Sequence, residues 1–136
     1  VAIEQLPDPG NAVSLDPDLR DCFGDPAPRM TYSFGAYEKT SLEAAIKLAR
    51  EILTAAGAEI SGDEVESGFA GHPMGTCRMG NDPDTSVVDR NLRAHEVSNL
   101  FIVGASVFVT GSSLQPATTI AALAIRTAEH IAGSKA

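Results

Sequence analysis

The 136-residue sequence predicts an α+β fold, in which an antiparallel sheet covered by helices is followed by a C-terminal strand and a C-terminal helix. Short stretches of alternating apolar and polar residues, separated by turn residues, fill the first third of the chain. Two longer stretches carry apolar residues at helical spacing, and a continuous apolar run lies between them. We therefore expect two units, a sheet with its helix in residues 1–70 and a strand with its helix in residues 71–136.

The predicted sheet has three short strands. Residues 1–6 alternate like a strand with one exposed face and end at the turn-rich residues 7–11. Residues 12–15 form the second strand, which the Asp-Pro-Asp sequence at residues 16–18 is expected to end as a turn. Bulky residues alternate again in residues 29–34, which indicates the third strand.

The first helix is predicted over residues 40–56. Thr40 and Glu43 fit a capping box, with Thr40 as the N-cap and Glu43 at the third helical position. Apolar residues then recur at helical spacing until Gly57, which ends the helix. The acidic residues 62–68 are interpreted as a solvated connector.

The C-terminal strand is predicted at the apolar run of residues 100–103, a pattern typical of a strand buried on both faces. It ends at three small residues, 104–106, beside which a ligand or another backbone could approach closely. A tight turn alone would also explain Gly104. Pro116 fits the first position of the last helix, which runs to about Ile131 and is closed by Gly133.

Composition narrows the class of partner. The chain has 10 basic and 18 acidic residues, and a net charge of -8 disfavours binding to nucleic acid or anionic lipid. No apolar run approaches the roughly 18 residues of a membrane span, so we expect a small-molecule partner. Cys22 and Cys77 do not make a disulfide framework, and with His72 they lack the paired spacing of a zinc site, so no metal is expected.

His72 is the first candidate for chemistry, because it lies in a glycine-containing loop. An imidazole titrates near neutral pH, so His72 could act as a general base. An ordinary surface or structural histidine would explain the same loop. His95, in a polar stretch, and His130, in the last turn of the final helix, fit that structural interpretation.

The start of the last helix is the second candidate. The first backbone N–H groups of a helix have no partner within it and carry partial positive charge, so they stabilise an anion or an electron-rich ring oxygen. Pro116 would also suit a helix that only packs against the core.

Four motifs follow one another in the second half of the chain: HPMGTCRMG at residues 72–80, SVVD at 86–89, NLFIVGAS at 99–106 and QPATTI at 115–120. Taken in this order, they resemble the C-terminal part of the glucose-methanol-choline (GMC) family of FAD-dependent oxidoreductases. The similarity is tight from about residue 71 to residue 133 and looser upstream.

The resemblance implies a catalytic pair. In this family the loop histidine, here His72, takes the proton of the substrate hydroxyl while hydride passes from the carbinol carbon to flavin N5. The second residue is usually an asparagine or histidine before the last helix, and here the position holds Gln115. The extra methylene of glutamine shifts the amide, which changes the geometry of the pair.

The resemblance also implies an FAD site and a branch of the family. Gly104, Ala105 and Ser106 would lie along the FAD, and Pro116, Ala117 and Thr118 would present backbone to the flavin ring. Residues 80–89 are more similar to bacterial sugar, gluconate and alcohol dehydrogenases than to fungal oxidases. The substrate would then be an alcohol or sugar, and a quinone or cytochrome would receive the electrons in place of oxygen.

The GxGxxG turn that binds the ADP part of FAD in the family is not found in this sequence. We therefore expect a C-terminal portion that needs an N-terminal FAD-binding part, binds FAD poorly alone and is inactive alone. Unpaired strand edges would favour a dimer. The alternative is a stand-alone binding or structural module without catalysis. The chain shows no signal peptide, and a cytoplasmic or a periplasmic location stays open.

Overall fold

The computed structural model describes residues 1–61 and 72–133, and it confirms the α+β class. The predicted connector at residues 62–68 and the predicted boundary between residues 70 and 71 lie outside the described residues. The described residues form two antiparallel strands, two α-helices and one short 3-10 helix: β1 (Ala12–Arg20), β2 (Pro26–Thr31), α1 (Ala36–Ala55), the 3-10 helix (Ala105–Val107) and α2 (Ala117–Gly133).

The β1–β2 hairpin confirms an antiparallel sheet in the first third of the chain, although β2 covers residues 26–31 and the third strand was predicted at residues 29–34. Ala12 lies opposite Thr31, and the register shifts between Leu15 and Arg20. The predicted end of the second strand at residue 15 is wrong, because β1 continues to Arg20; the predicted turn chemistry of residues 16–18 is present, and there the pairing is interrupted. There the Asp16 carboxylate accepts hydrogen bonds from the N–H groups of residues 18 and 19 at 3.0 and 2.9 Å, which bends the strand without ending it.

One face of the hairpin is apolar and open. Val13 pairs with Met30, and Leu15 lies two residues further along the same face of β1. Their side chains are 52 %, 69 % and 69 % exposed, so neither helix covers this face within the part of the chain that the structure describes. The expected dimer stays a prediction.

The predicted first strand at residues 1–6 is wrong. No strand is assigned there, and single hydrogen bonds hold the segment to its neighbours. The Tyr32 hydroxyl donates to Oε1 of Gln5 at 2.7 Å, and the Leu6 N–H donates to the Glu38 carboxylate at 2.8 Å. Alternation alone indicated a strand, but the segment pairs with no strand among the described residues.

Helix α1 begins at Ala36, four residues before the predicted N-cap, so the Thr40–Glu43 capping box is wrong. Gly35 is the N-cap, and Glu38 takes the third helical position with only 4 % of its surface exposed. Glu38 binds the backbone of the preceding segment, which fixes the earlier start. The predicted stop is confirmed, because Gly57 follows the helix with a φ of 82°.

We expect the contribution of Glu38 to stability to depend on pH. The hydrogen bond from the Leu6 N–H, with further bonds from the backbone N–H groups of Glu38 itself and of Gly35, lowers the pKa of Glu38 below its ordinary 4.5. This stabilisation is complete above pH 4.5 and is lost as the pH falls through the lowered pKa. Glu38→Gln should therefore unfold at lower urea concentration at neutral pH and approach the wild type in acid. Glu51→Gln, on an exposed part of α1, is the control. If the difference in unfolding urea concentration between the wild type and Glu38→Gln stays constant with pH, this result contradicts the proposed role of Glu38.

The C-terminal core is centred on three fully buried side chains, Val88, Leu92 and Val107, with four partly buried residues around them: Met79, Ile102, Phe108 and Leu123. The predicted buried strand at residues 100–103 is wrong. Phe101 makes one antiparallel bridge with Arg93, while the side chains of residues 100 and 103 are 45 % and 50 % exposed. A continuous apolar run needs strands on both sides to be buried, and the described residues supply only this bridge.

Helix α2 confirms the predicted last helix. It begins at Ala117, one residue later than expected, because the Pro116 carbonyl accepts the Ile120 N–H at 2.9 Å from just outside the helix. His130 lies in its last turn, as predicted, where its ring also contacts Phe101 edge to face. Neither described helix is both long and apolar enough to cross a bilayer.

Candidate functional site

Residues 72–80, the histidine loop, lie directly against residues 104–106, the small-residue segment. Three N–H groups of the loop, two residues apart, donate to three consecutive carbonyls: Gly75 to Ala105 at 3.3 Å, Cys77 to Ser106 at 2.8 Å and Met79 to Val107 at 2.9 Å. Two motifs that are far apart in the sequence are therefore held together by backbone hydrogen bonds, which fixes the register between them.

The SVVD motif fixes the far end of the loop. The Gly80 N–H donates to the Val88 carbonyl at 2.9 Å, and the Val87 N–H donates to the Arg78 carbonyl at 3.0 Å. Val88 is fully buried, so these hydrogen bonds connect the loop to the core.

A tight turn at residues 89–93 completes this support. The Asp89 carboxylate accepts the N–H groups of Asn91 and Arg93 at 2.8 and 3.0 Å. Burial raises the pKa of Asp89, but these hydrogen bonds and the positive charges of Arg93 and His95 outweigh it, so the pKa is lowered overall. Leu92 adopts a left-handed φ of 64°, which turns its side chain into the core.

His72 and Gln115 line one cleft of about 240 Å³. The cleft lies where the histidine loop, the small-residue segment and the start of α2 meet, and its other lining residues are apolar: Pro73, Ala105, Pro116, Ala117 and Ile120. Among the described residues, the imidazole and the amide are thus the two polar side chains of its lining, and both residues are exposed. Such a cleft can bind an apolar or aromatic group while two polar groups orient it.

The structure brings most of the predicted site residues together, although it does not test their roles. His72, Ala105, Gln115, Pro116 and Ala117 line the cleft. Three others adjoin these residues in sequence without lining it: Gly104, Ser106 and Thr118. Sequence analysis missed Pro73 and Ile120. Helical spacing could have found Ile120, which lies three residues after Ala117 on the same side of α2.

Gly104 has a backbone conformation that excludes other residues. Its φ is 127° and its ψ is -171°, a region open essentially to glycine alone. A β-carbon added there would meet no atom of the described chain within 4 Å, so the space beside Gly104 is open. The backbone conformation by itself accounts for the glycine, and within the described residues the space beside it leaves room for a ligand.

The first turn of α2 offers hydrogen-bond donors beside the cleft. The N–H groups of Ala117, Thr118 and Thr119 precede the first intrahelical bond, which Ile120 makes, and these three residues are exposed. The positive end of the helix dipole lies at the same place. An electron-rich ring edge would be stabilised there.

The described residues hold no cluster of three or more histidine, cysteine or acidic side chains that could bind a metal ion. Cys22 is an exposed free thiol, and Cys77 is a half-buried one. The chemistry that this part of the chain offers is that of an imidazole, an amide and a helix N-terminus.

The described residues thus combine an α+β fold with an apolar cleft, an imidazole, an amide and a helix N-terminus. The family model for GMC oxidoreductases matches residues 7–124. The chain belongs to the GMC oxidoreductase family, and it corresponds to the C-terminal portion of these proteins.

Three relatives illustrate the similarity. The chain is 37 % identical to 2-methyl-1,2-propanediol dehydrogenase of Mycolicibacterium austroafricanum, over 94 % of this chain and 24 % of that protein. It is 36 % identical to the fructose dehydrogenase large subunit of Gluconobacter japonicus, over 94 % and 24 %. It is 31 % identical to the gluconate 2-dehydrogenase flavoprotein of Pantoea cypripedii, over 89 % and 21 %. The chain thus spans about a quarter of the length of these relatives.

Proposed function

We propose that the chain supplies the substrate-side half of the active site in an FAD-dependent enzyme that oxidises the CH–OH group of an alcohol or sugar. The observation that carries this proposal is the meeting of His72 and Gln115 at one apolar cleft beside the start of α2. The three relatives described above are named as dehydrogenases of a diol, a sugar and gluconate, which supports the same substrate class.

His72 is the proposed base. Its imidazole accepts the proton of the substrate hydroxyl, and the carbinol carbon loses a hydride, so that the alcohol becomes a carbonyl compound. FAD supplies the hydride acceptor when it is bound. The Gln115 amide can donate and accept hydrogen bonds, and it holds the hydroxyl oxygen in line with the imidazole.

The residues present fit the flavin end of FAD. Gly104 leaves open space beside its backbone, and the first turn of α2 provides exposed N–H donors and the positive end of a dipole. We propose that Gly104, Ala105 and Ser106 lie along the cofactor and that Pro116, Ala117 and Thr118 present backbone to its ring. An N-terminal part of the protein would hold the remainder, and a quinone or cytochrome would receive the electrons.

The direct test is substrate-dependent bleaching of the flavin in the protein expressed with its complete reading frame. Alcohols and sugars are added under anaerobic conditions, and at least one of them should bleach the visible flavin absorbance. Residues 1–136 alone should purify without flavin and without activity. A complete protein that binds no flavin, or whose flavin no such compound reduces, would contradict the proposal and favour a non-catalytic module.

We expect Gly104→Ala to reduce the amount of FAD bound. A β-carbon forces an unfavourable backbone conformation that costs about 1–3 kcal/mol, and it fills the open space proposed for the cofactor. The measurement is the ratio of flavin to protein absorbance after purification. Gly133→Ala is the control, because that glycine lies in α2 with open space and no positive φ. Equal flavin content in Gly104→Ala and the wild type would contradict the assignment.

A further inference from the structure

Two consecutive side chains of α2 bind two consecutive carbonyls of the turn at residues 89–93. The Arg126 guanidinium donates to the Arg90 carbonyl, and the Thr127 hydroxyl donates to the Asn91 carbonyl at 3.4 Å. Thr127 is 2 % exposed, whereas Arg126 lies on the surface. A hydroxyl this deeply buried on a packing helix needs a partner, and the turn provides it.

The turn is built to present these carbonyls. Its N–H groups at Asn91 and Arg93 are occupied by the Asp89 carboxylate, and the left-handed Leu92 reverses the chain immediately after Asn91. The carbonyls of Arg90 and Asn91 are thereby left to accept hydrogen bonds from α2.

The same turn is connected to the histidine loop. Val88, directly before it, accepts the Gly80 N–H, and Leu92 within it packs in the core with Val88 and Val107. Leu123 of α2 packs against this core as well. Residues 88–93 therefore connect both sides of the cleft, the loop that carries His72 and the helix that begins beside Gln115.

We propose that Arg126 and Thr127 are positioning residues that set the separation of His72 and Gln115 by fixing the rotation and axial position of α2. This inference rests on the proposed function. Thr127 lies ten residues beyond Ala117, about 15 Å along a rigid helix, so neither side chain needs to touch the substrate. A small shift of the helix at its anchor moves its first turn and Gln115 with it, and misplacement of about 1 Å can cost up to about 100-fold in rate.

The test uses the complete flavoprotein and the rate of flavin reduction at saturating substrate, expressed per bound FAD and measured well below the melting temperature. Thr127→Val keeps the shape but removes the hydroxyl, and Arg126→Met keeps the stem but removes the donors. Each should lower the rate about tenfold with little change in KM. Thr127→Ser should retain the wild-type rate, and Glu129→Gln, on an exposed part of α2, is the control.

A merely structural role predicts a different result. If Thr127→Val and Arg126→Met melt earlier but reduce flavin at the wild-type rate per bound FAD, the proposal is overturned. Arg126 is on the surface, so its variant decides the question if Thr127→Val does not fold. A slow Thr127→Val beside a fully active His72→Ala would overturn the proposed role of His72, while the placement of Gln115 by α2 would still stand.

Discussion

Replacing His72 with alanine is expected to lower turnover about 10²–10⁴-fold while FAD stays bound. His72 is exposed at the cleft, and its loop is held by backbone hydrogen bonds at Gly75, Cys77 and Met79 that the substitution leaves intact. The loss should therefore come from the missing proton acceptor and should appear in kcat at saturating substrate. Steady-state reduction of an artificial dye by the complete flavoprotein measures it.

His95→Ala is the matched control for this prediction. The His95 ring makes a hydrogen bond of 3.0 Å with the Ser86 hydroxyl, away from the cleft lining, so its loss should affect stability more than turnover. Turnover in His72→Ala within a fewfold of wild type would remove His72 from the mechanism. A large loss of turnover in His95→Ala would show that this assay does not separate chemistry from folding.

Leu92→Ala is expected to destabilise the protein by about 2–5 kcal/mol. Leu92 is fully buried at the centre of the C-terminal core. Alanine also carries a β-carbon, so the cost of the left-handed backbone is similar in both proteins and the difference measures the lost packing. Urea unfolding followed by circular dichroism gives the change in the free energy of unfolding.

Val87→Ala provides the comparison for Leu92→Ala, because Val87 is a nearby apolar residue that is 42 % exposed. Val87→Ala should lower the free energy of unfolding much less than Leu92→Ala does, because little packing is lost. If Leu92→Ala lowers the free energy of unfolding by less than about 1 kcal/mol, Val88, Leu92 and Val107 do not form the stabilising core described above.

Local sequence signals predicted the elements that depend on local chemistry. Alternation and turn residues predicted two antiparallel strands of the first third, since side chains on a strand alternate between its faces with period two. Helical spacing and Pro116 predicted the start of α2 to within one residue, while the helix continues through Gly133, about two residues beyond its predicted end. The start of α1 was predicted wrongly, because the Glu38 bond to Leu6 depends on a contact 32 residues apart, which outweighs the capping signal at Thr40.

The interactions that build the C-terminal core could not be predicted from local patterns. A left-handed leucine at position 92 has no signal in the sequence, because only the core and the Asp89 carboxylate hold it there. The apolar run at residues 100–103 suggested a buried strand, but burial depends on neighbouring strands, which the described residues do not supply.

The candidate site was predicted from motifs, and the structure brings those motifs together. The sequence places His72 and Gln115 far apart, and the hydrogen bonds between residues 75–79 and 105–107 bring the two regions to one cleft. The roles of the site residues and the division into residues 1–70 and 71–136 stay predictions.

The most direct test of His72 as the base is the rate of anaerobic flavin reduction by substrate in His72→Ala, measured with and without added imidazole. If His72 is the base, reduction is slow in the variant and rises with imidazole concentration, because a free imidazole replaces the missing proton acceptor at the cleft. If the variant reduces its flavin at the wild-type rate without added imidazole, this result contradicts the central claim that His72 accepts the proton of the substrate hydroxyl.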